Sequence, residues 1–203
     1  MKTLERHLKE SWDETYRHHD YKELPWETVN PDQELNRLLK EKKIDKCKVL
    51  DIGCGAGTNS ILLAKNDFDV TGVDISPTAI EIAKRRAKEA GLKIKFLVGN
   101  AYNLKFLKGS FDFIFDRGCF HHIPIEYRGK YVKQNHRLLT EKGKYYLHAF
   151  SDRNYWHQEN LFSLEKIKMY FGDYFKILEA VEIIHTQPSG EKVYLRSLFM
   201  RKI

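Results

Sequence analysis

The stretch DRGCFHHIP, residues 116–124, places Asp116, Arg117, Cys119, His121 and His122 within seven positions. Side chains of these types admit three chemistries: a metal site, a nucleophile beside its base, or the rim of a cofactor pocket. A metal site needs a further ligand at characteristic spacing, and Cys119, His121 and His122 do not readily converge on one ion. No metal is therefore expected. Consecutive residues on a helix point about 100° apart, so His121 and His122 are not both expected to face one site.

A second cluster, DIGCGAGTNS at 51–60, carries Gly53, Gly55 and Gly57. Glycines let the backbone turn tightly and approach a ligand without interference from a Cβ. A helix opening just after them offers unpaired N–H groups to a carboxylate or phosphate. The pattern is GxGxG, with Thr58 where the dinucleotide fingerprint has its third glycine. Asp74 follows at the end of the next apolar run, where its carboxylate can accept from both hydroxyls of a ribose. Alternatively, it is only a strand-end acid beside the Ser76 cap.

The elements that must position these residues alternate in type. CKVLDI (47–52), FDVTGVD (68–74), KIKFLVGN (93–100), SFDFIFD (110–116) and GKYYLHAF (143–150) read as short buried strands. Between them, 58–66 and 126–139 read as helices, the latter with Tyr127, Tyr131, Val132 and Leu138 inward. Ser76-Pro77 opens another helix, with Ala79, Ile80, Ala83, Ala87 and Ala90 inward and Gly91 as its stop. Residues 1–18 and about 32–42 are also helical candidates, as is the run from Ser163 to about Phe171. FKILEAVEII and EKVYLRSLFMRKI flank the turn formers HTQPSG and read as an antiparallel hairpin. The expected class is α/β: a doubly wound, mostly parallel seven-stranded sheet with a C-terminal antiparallel hairpin. Ligands in such sheets bind beyond the carboxyl ends of the strands, which is where both clusters fall.

The 203 residues, 42% apolar and 31% charged, suit one globular domain. We expect an N-terminal helical cap (1–45), a cofactor-binding core (46–150) and a substrate-side loop, helix and hairpin (151–203). The charged start lacks a secretory core, and no apolar run is long enough for a membrane span. Cys47, Cys54 and Cys119 lack a CxxC pairing, which points to free thiols and a cytoplasmic location. The net charge of +7 lies in lysine-rich runs interspersed with acids, which favours a solvated surface over a nucleic-acid footprint. The loop FSDRNYWHQEN, with Arg153, Tyr155, Trp156 and His157, reads equally as a substrate lid or as a surface loop with one buried Trp.

VLDIGCGAGTNSILLA followed by VTGVDISPTAIEIAKRRA resembles the first two motifs of class I S-adenosylmethionine-dependent methyltransferases. FLVGNAYNL and FDFIFDRGCFHHI extend the likeness over about residues 47–150. The entry segment WDETYRHHDYKELPWE is more loosely similar to small-molecule methyltransferases of the thiopurine and tellurite-resistance type. The resemblance implies a Rossmann-like methyltransferase fold, with S-adenosylmethionine as cofactor and S-adenosylhomocysteine as product. It implies that Asp51, Gly53, Cys54, Gly55 and Gly57 shape the methionine end, with Asn59 near the carboxylate. Asp74 would hold the ribose, Ile75 would pack on the adenine, and Asn100 and Ala101 would border its ring. Many relatives carry Asp where this chain has Asn100. Asp116 and Arg117 would sit by the methionine amine, through backbone carbonyls as much as side chains. Tyr16 and Trp26 would lie over the cofactor or simply pack in the core.

Methyl transfer from a sulfonium is an in-line displacement that needs alignment more than acid–base chemistry. His121 and His122 are the candidates for a base, and with Arg153 and Trp156 they are the substrate-binding candidates. The absence of an Asn/Asp-Pro-Pro-aromatic sequence after the fourth strand favours a small-molecule acceptor: a thiol, another soft nucleophile or a hydroxyl. Alternatives are an RNA or protein methyltransferase using the basic surface, a nicotinamide-dependent oxidoreductase, and a non-catalytic module that senses the cofactor.

Overall fold

The computed structural model describes residues 2–27, 32–107, 110–156, 158–186 and 190–203. His157 and positions 187–189 of the expected closing turn lie outside the described residues. Among the described residues seven strands, β1 (Lys48–Ile52), β2 (Asp69–Asp74), β3 (Lys95–Val98), β4 (Phe111–Arg117), β5 (Leu139–Phe150), β6 (Phe175–Thr186) and β7 (Lys192–Lys202), form one sheet in the order β3-β2-β1-β4-β5-β7-β6. By its contacts the chain divides into two compact units, Met1–Leu104 and Lys105–Ile203.

The first unit opens with α1 (Lys2–His18) and α2 (Gln33–Lys40), then β1 (Lys48–Ile52), α3 (Thr58–Lys65), β2 (Asp69–Asp74), α4 (Pro77–Glu89) and β3 (Lys95–Val98). β1 runs parallel to β2, with Ile52 opposite Val73, and β2 runs parallel to β3, with Asp74 opposite Val98. Val49, Leu50 and Ile52 are fully buried, which is why a run without polar alternation forms a central strand. α4 begins as its sequence dictates: the Ser76 hydroxyl accepts the Ala79 N–H at 3.0 Å and Pro77 takes the first position. Ile80, Ala83 and Ala87 are buried with Phe96 of the sheet and Ala79 with Tyr16, Leu24 and Ala56, but Ala90 is exposed. The reason is that the helix ends at Glu89, so Ala90 is already its C-cap, and Gly91 turns away with φ +69°.

The second unit contains β4 (Phe111–Arg117), α5 (Ile125–Leu138), β5 (Leu139–Phe150), α6 (Leu164–Phe171), β6 (Phe175–Thr186) and β7 (Lys192–Lys202). β4 and β5 are parallel, with Asp116 opposite Leu147; β7 lies antiparallel to both β5 and β6. β5 starts at Leu139, directly after α5, rather than at Gly143. Its core is aromatic: Phe113, Phe115, Phe120, Tyr131, Tyr145 and Tyr146 are fully buried. Among the described residues, no helix is long and apolar enough to cross a membrane.

Candidate cofactor site

Beyond β1 the chain folds into a tight glycine turn. The N–H groups of Gly53 and Cys54 both donate to the Val73 carbonyl, at 2.8 and 3.1 Å, which pins the turn to the end of β2. Gly55 and Gly57 adopt left-handed φ values of +53° and +81°. A Cβ at Gly57 would press on Ala83 Cβ at 3.0 Å and Phe96 Cζ at 3.1 Å, so this glycine serves close packing of α4 and β3. Cys54 belongs to the same apolar cluster, with Ile80, Ala83, Ala87 and Phe96. Burial, reinforced by nearby carboxylates, pushes its thiol well up from the ordinary range, which makes it an inert core group.

Asp74 stitches the turn to the next helix. One carboxylate oxygen accepts the Gly55 N–H and the other the Ser76 N–H, each at 2.9 Å. Desolvation raises its pKa to about 6; the backbone donors at Ser76 and Gly55 work against this, and the charge of Glu27 adds to the rise. Its surface is only half-buried, so lone pairs remain for a ligand. Beside it, the Gly99 N–H donates to the Asp74 carbonyl at 2.8 Å. That contact leads into Asn100, whose Oδ1 accepts the Tyr102 N–H at 3.2 Å while its buried Nδ2 has no partner. Ile75 and Ala101 flank this spot, both half-buried.

Asp51 is buried and accepts the Ser60 hydroxyl at 2.5 Å, so it ties β1 to α3. Asn59 uses its Oδ1 to accept the Asp32 N–H at 3.0 Å, while Asp32 in turn caps α2 by accepting the Leu35 N–H at 2.8 Å. Arg86 of α4 donates to the Ala56 carbonyl at 2.7 Å and to Thr58 Oγ1 at 3.0 Å.

Tyr16 and Trp26 do meet at the glycine turn, through a residue that the sequence pattern did not single out. The Tyr16 hydroxyl donates to Glu27 Oε1 at 2.8 Å and accepts the Trp26 indole N–H at 3.0 Å. Burial and the neighbouring Glu27 and Asp74 charges push the Tyr16 hydroxyl well up, so it stays a donor. Glu27 also accepts the Ala56 N–H at 2.6 Å and the Thr58 hydroxyl at 3.2 Å. Asp13 does the equivalent at α4: its Oδ1 accepts the Ser76 hydroxyl and the Thr78 N–H, both at 2.8 Å, and its other oxygen pairs with Arg17. Neither acid is marked by periodicity. Their only signal is that they lie within WDETYRHHDYKELPWE, residues 12–27.

In the second unit, the Asp116 carboxylate is fully buried and spent internally. Oδ2 accepts the hydroxyls of Tyr131 and Tyr145 at 2.7 and 2.9 Å; Oδ1 accepts the N–H groups of Cys119 and Phe120 at 2.9 and 3.2 Å. Burial raises its pKa to about 6 against those four donors. Its side chain therefore braces the turn after β4, and any ligand contact at this residue falls to its main chain. Arg117 is half-buried.

His121 and His122 lie in a single 3₁₀ turn, Phe120–His122, and differ sharply. His121 is buried, stacked on Phe150 at 4.0 Å between ring centroids, with Nδ1 accepting the Phe150 N–H at 3.2 Å. Desolvation, then the positive neighbours, hold its pKa well below the usual range, so it is a neutral packed ring. His122 rests edge-on against it at 4.4 Å and keeps an exposed surface; desolvation lowers it too, less strongly. Trp156 approaches the same Phe150 at 6.2 Å, which gathers His121, His122, Phe150 and Trp156 into one aromatic group. Arg153 pairs instead with Glu182 and lies over the Tyr194 ring at 4.1 Å. Among the described residues, no three His, Cys, Asp or Glu side chains gather as a metal site.

Residues 49–143, which run through both units, match the methyltransferase-domain family. The chain is 30% identical over 152 residues to 2-heptyl-1-hydroxyquinolin-4(1H)-one methyltransferase of Mycobacteroides abscessus, covering 72% of this chain and 66% of that protein. It is 32% identical over 160 residues to EEF1A lysine methyltransferase 2 of Homo sapiens, covering 73% and 64%. It thus spans slightly less than two thirds of the length of these relatives. Among solved structures, one from the conversion of a disulfide bond into a thioacetal group during echinomycin biosynthesis superposes with a TM-score of 0.84 at 24% identity, covering 96% of this chain and 91% of that one. The 1,6-didemethyltoxoflavin-N1-methyltransferase of Burkholderia thailandensis superposes at 0.75 with 21% identity, covering 96% and 87%. These two share the fold. Taken together with the ordered motifs at the strand ends, the matches establish that the chain belongs to the class I S-adenosylmethionine-dependent methyltransferase family.

Proposed function

We propose that the chain transfers the methyl group of S-adenosylmethionine by in-line displacement to a small-molecule nucleophile, a thiol, another soft nucleophile or a hydroxyl. The observation that carries this reading is the pairing of Asp74 and Asn100. A half-buried carboxylate, positioned by two backbone N–H groups, stands beside an amide donor left without a partner. A vicinal diol suits the carboxylate and an adenine ring nitrogen suits the amide, so an adenosine fits the groups present. Ile75 and Ala101 supply apolar flanks for the base, and Gly53 and Gly55 lie where the methionine end would pass.

When bound, the cofactor supplies an electrophilic methyl on a sulfonium. The protein's part is to hold the acceptor in line and to exclude water, an arrangement that can lower the barrier by roughly 7–11 kcal/mol. In this reading His122, with its exposed ring, is the acceptor-side histidine. His121 packs edge-on against it, with its own Nδ1 committed to the Phe150 N–H. The quinolinone relative, named for a 1-hydroxy compound, supports a hydroxyl among the acceptors. The lysine methyltransferase relative is the observation that favours the second reading, a protein acceptor. Free thiols at Cys47, Cys54 and Cys119 suit a reducing, cytoplasmic setting.

Calorimetric titration with S-adenosylmethionine tests the assignment. Asp74→Ala is expected to weaken binding at least about tenfold, the loss of a charge-assisted pair. Unimpaired binding by that variant removes the ribose assignment. Transfer of labelled methyl to thiols, phenols, amines and a cell extract then separates the acceptor classes: label confined to protein would overturn the small-molecule reading.

A further inference from the structure

Nothing in methyl transfer itself calls for Glu27. Yet its carboxylate is buried and takes three donors at the mouth of α3: the Ala56 N–H, the Thr58 hydroxyl and the Tyr16 hydroxyl. A glycine turn leading into a helix is where sheets of this kind present donors to the phosphates of a nucleotide. Here those donors are already used by the chain's own acid. Gly55 makes the same point from the other side. A Cβ built there would lie 2.0 Å from Glu27 Oε1 and 2.6 Å from the Tyr16 hydroxyl, so the missing side chain makes room for the N-terminal segment. The segment is held in place independently by the apolar cluster of Tyr16, Leu24, Ala56 and Ala79, with Trp12, Tyr21 and Ile82 packed on it.

From this the geometry points to Glu27 as a specificity-determining residue, a built-in carboxylate that fills the anion-accepting end of the glycine turn and closes the cradle to phosphate-bearing nucleotides. A phosphate entering the turn has to displace a carboxylate with three hydrogen bonds or lie against it with like charge, and both are strongly unfavourable. Asp74 adds a second negative charge on the same turn. The tail of S-adenosylmethionine carries a sulfonium, an ammonium and one carboxylate, so its net charge is positive and its conflict with Glu27 is far smaller than that of a phosphate chain. The identity of the admitted cofactor rests on the methyltransferase reading; the exclusion of phosphates rests on Glu27 first, with Asp74 beside it, and not on that reading.

The test is calorimetric titration of the full chain and of Glu27→Ala and Glu27→Gln with ADP, NADH and S-adenosylmethionine, with folding checked by circular dichroism. The wild type is expected to bind neither ADP nor NADH at millimolar concentration. Removing the charge is expected to shift the ratio of ADP to S-adenosylmethionine affinity toward ADP by at least about tenfold. If Glu27→Ala does not fold, Glu27→Gln, neutral and of the same shape, carries the same expectation. An unchanged ratio in a folded variant overturns the proposal, as does a wild type that binds ADP as tightly as S-adenosylmethionine. A wild type that binds no S-adenosylmethionine, while the variants gain ADP, supports the filter and sinks the cofactor assignment, so the two failures are distinct.

Discussion

Gly55→Ala is the perturbation whose cost can be worked most directly from the structure. Its first component is conformational: at φ +53° an alanine is strained by about 1–2 kcal/mol. The second follows from contact. The turn backbone cannot retreat easily, because Gly55 N–H is held by Asp74 and its neighbours by the Val73 carbonyl. What yields is the tip of Glu27, 2.0 Å from the new methyl group. Moving that tip breaks its bonds to Ala56, Thr58 and Tyr16. With water replacing some of them, the loss is about 2–3 kcal/mol, given that a bond to a charged group contributes roughly 1.5–3. The total is about 3–5 kcal/mol. In a Glu27→Ala background no carboxylate remains to be expelled; Gly55→Ala should then cost the conformational ~1–2 kcal/mol plus the displacement of the Tyr16 hydroxyl, 2.6 Å from the new methyl group, which is common to both backgrounds. The coupling in the four-protein cycle is therefore about 2–3 kcal/mol, readable by urea unfolding followed by circular dichroism. If Gly55→Ala costs the same in both backgrounds to within about 0.5 kcal/mol, Gly55 is not a seat for Glu27 and the reasoning is wrong.

Asp13→Ala should lower stability by about 1–2 kcal/mol, since Ser76 and Thr78 lose the acid that caps α4; differential scanning fluorimetry should show a fall of about 2–4 °C per kcal/mol, and no shift would mean the contact is idle. Asp116 gives a pH signature. Its folded pKa of about 6 lies above the unfolded value near 3.8, so the folded state takes the proton first, and the stability this adds is present below pH 3.8 and lost as pH rises through 6. The stability of the wild type relative to Asp116→Asn should therefore decline by up to roughly 3 kcal/mol between pH 4 and 7. The packed, neutral His121 titrates in the opposite sense, but it is present in both proteins, so parallel curves would refute the assignment.

What the sequence made legible was local. Apolar runs ending in an acid gave β1 and β2, and Ser76, Pro77 and Gly91 framed α4, because each signal acts within a few residues of itself. The left-handed glycines were visible for the same reason. The parts that escaped act over distance. Glu27 reaches Ala56 across 29 positions and Asp13 reaches Ser76 across 63, and neither leaves a periodic trace. The direction of Asp116 was equally hidden: its partners Tyr131 and Tyr145 come from α5 and β5, and only the packed unit shows that the carboxylate turns inward. The histidine pair was half legible. That the two diverge follows from spacing, but which one is buried depends on Phe150.

The pattern of occupied and open groups narrows the chemistry further than the motifs do. After β1 and β2 the sheet presents two helix amino ends, the places where such folds commonly hold phosphate. The N-terminal segment covers both with acids, Glu27 at the mouth of α3 and Asp13 at the start of α4. Between them stands Asp74, a half-buried acceptor, and beside it the unpartnered amide of Asn100. An acceptor for a diol and a donor for a base together ask for a nucleoside; acids at both helix ends ask that its tail carry no phosphate. A nucleoside whose tail lacks phosphate and is cationic on balance satisfies both demands, and that is the class to which S-adenosylmethionine belongs.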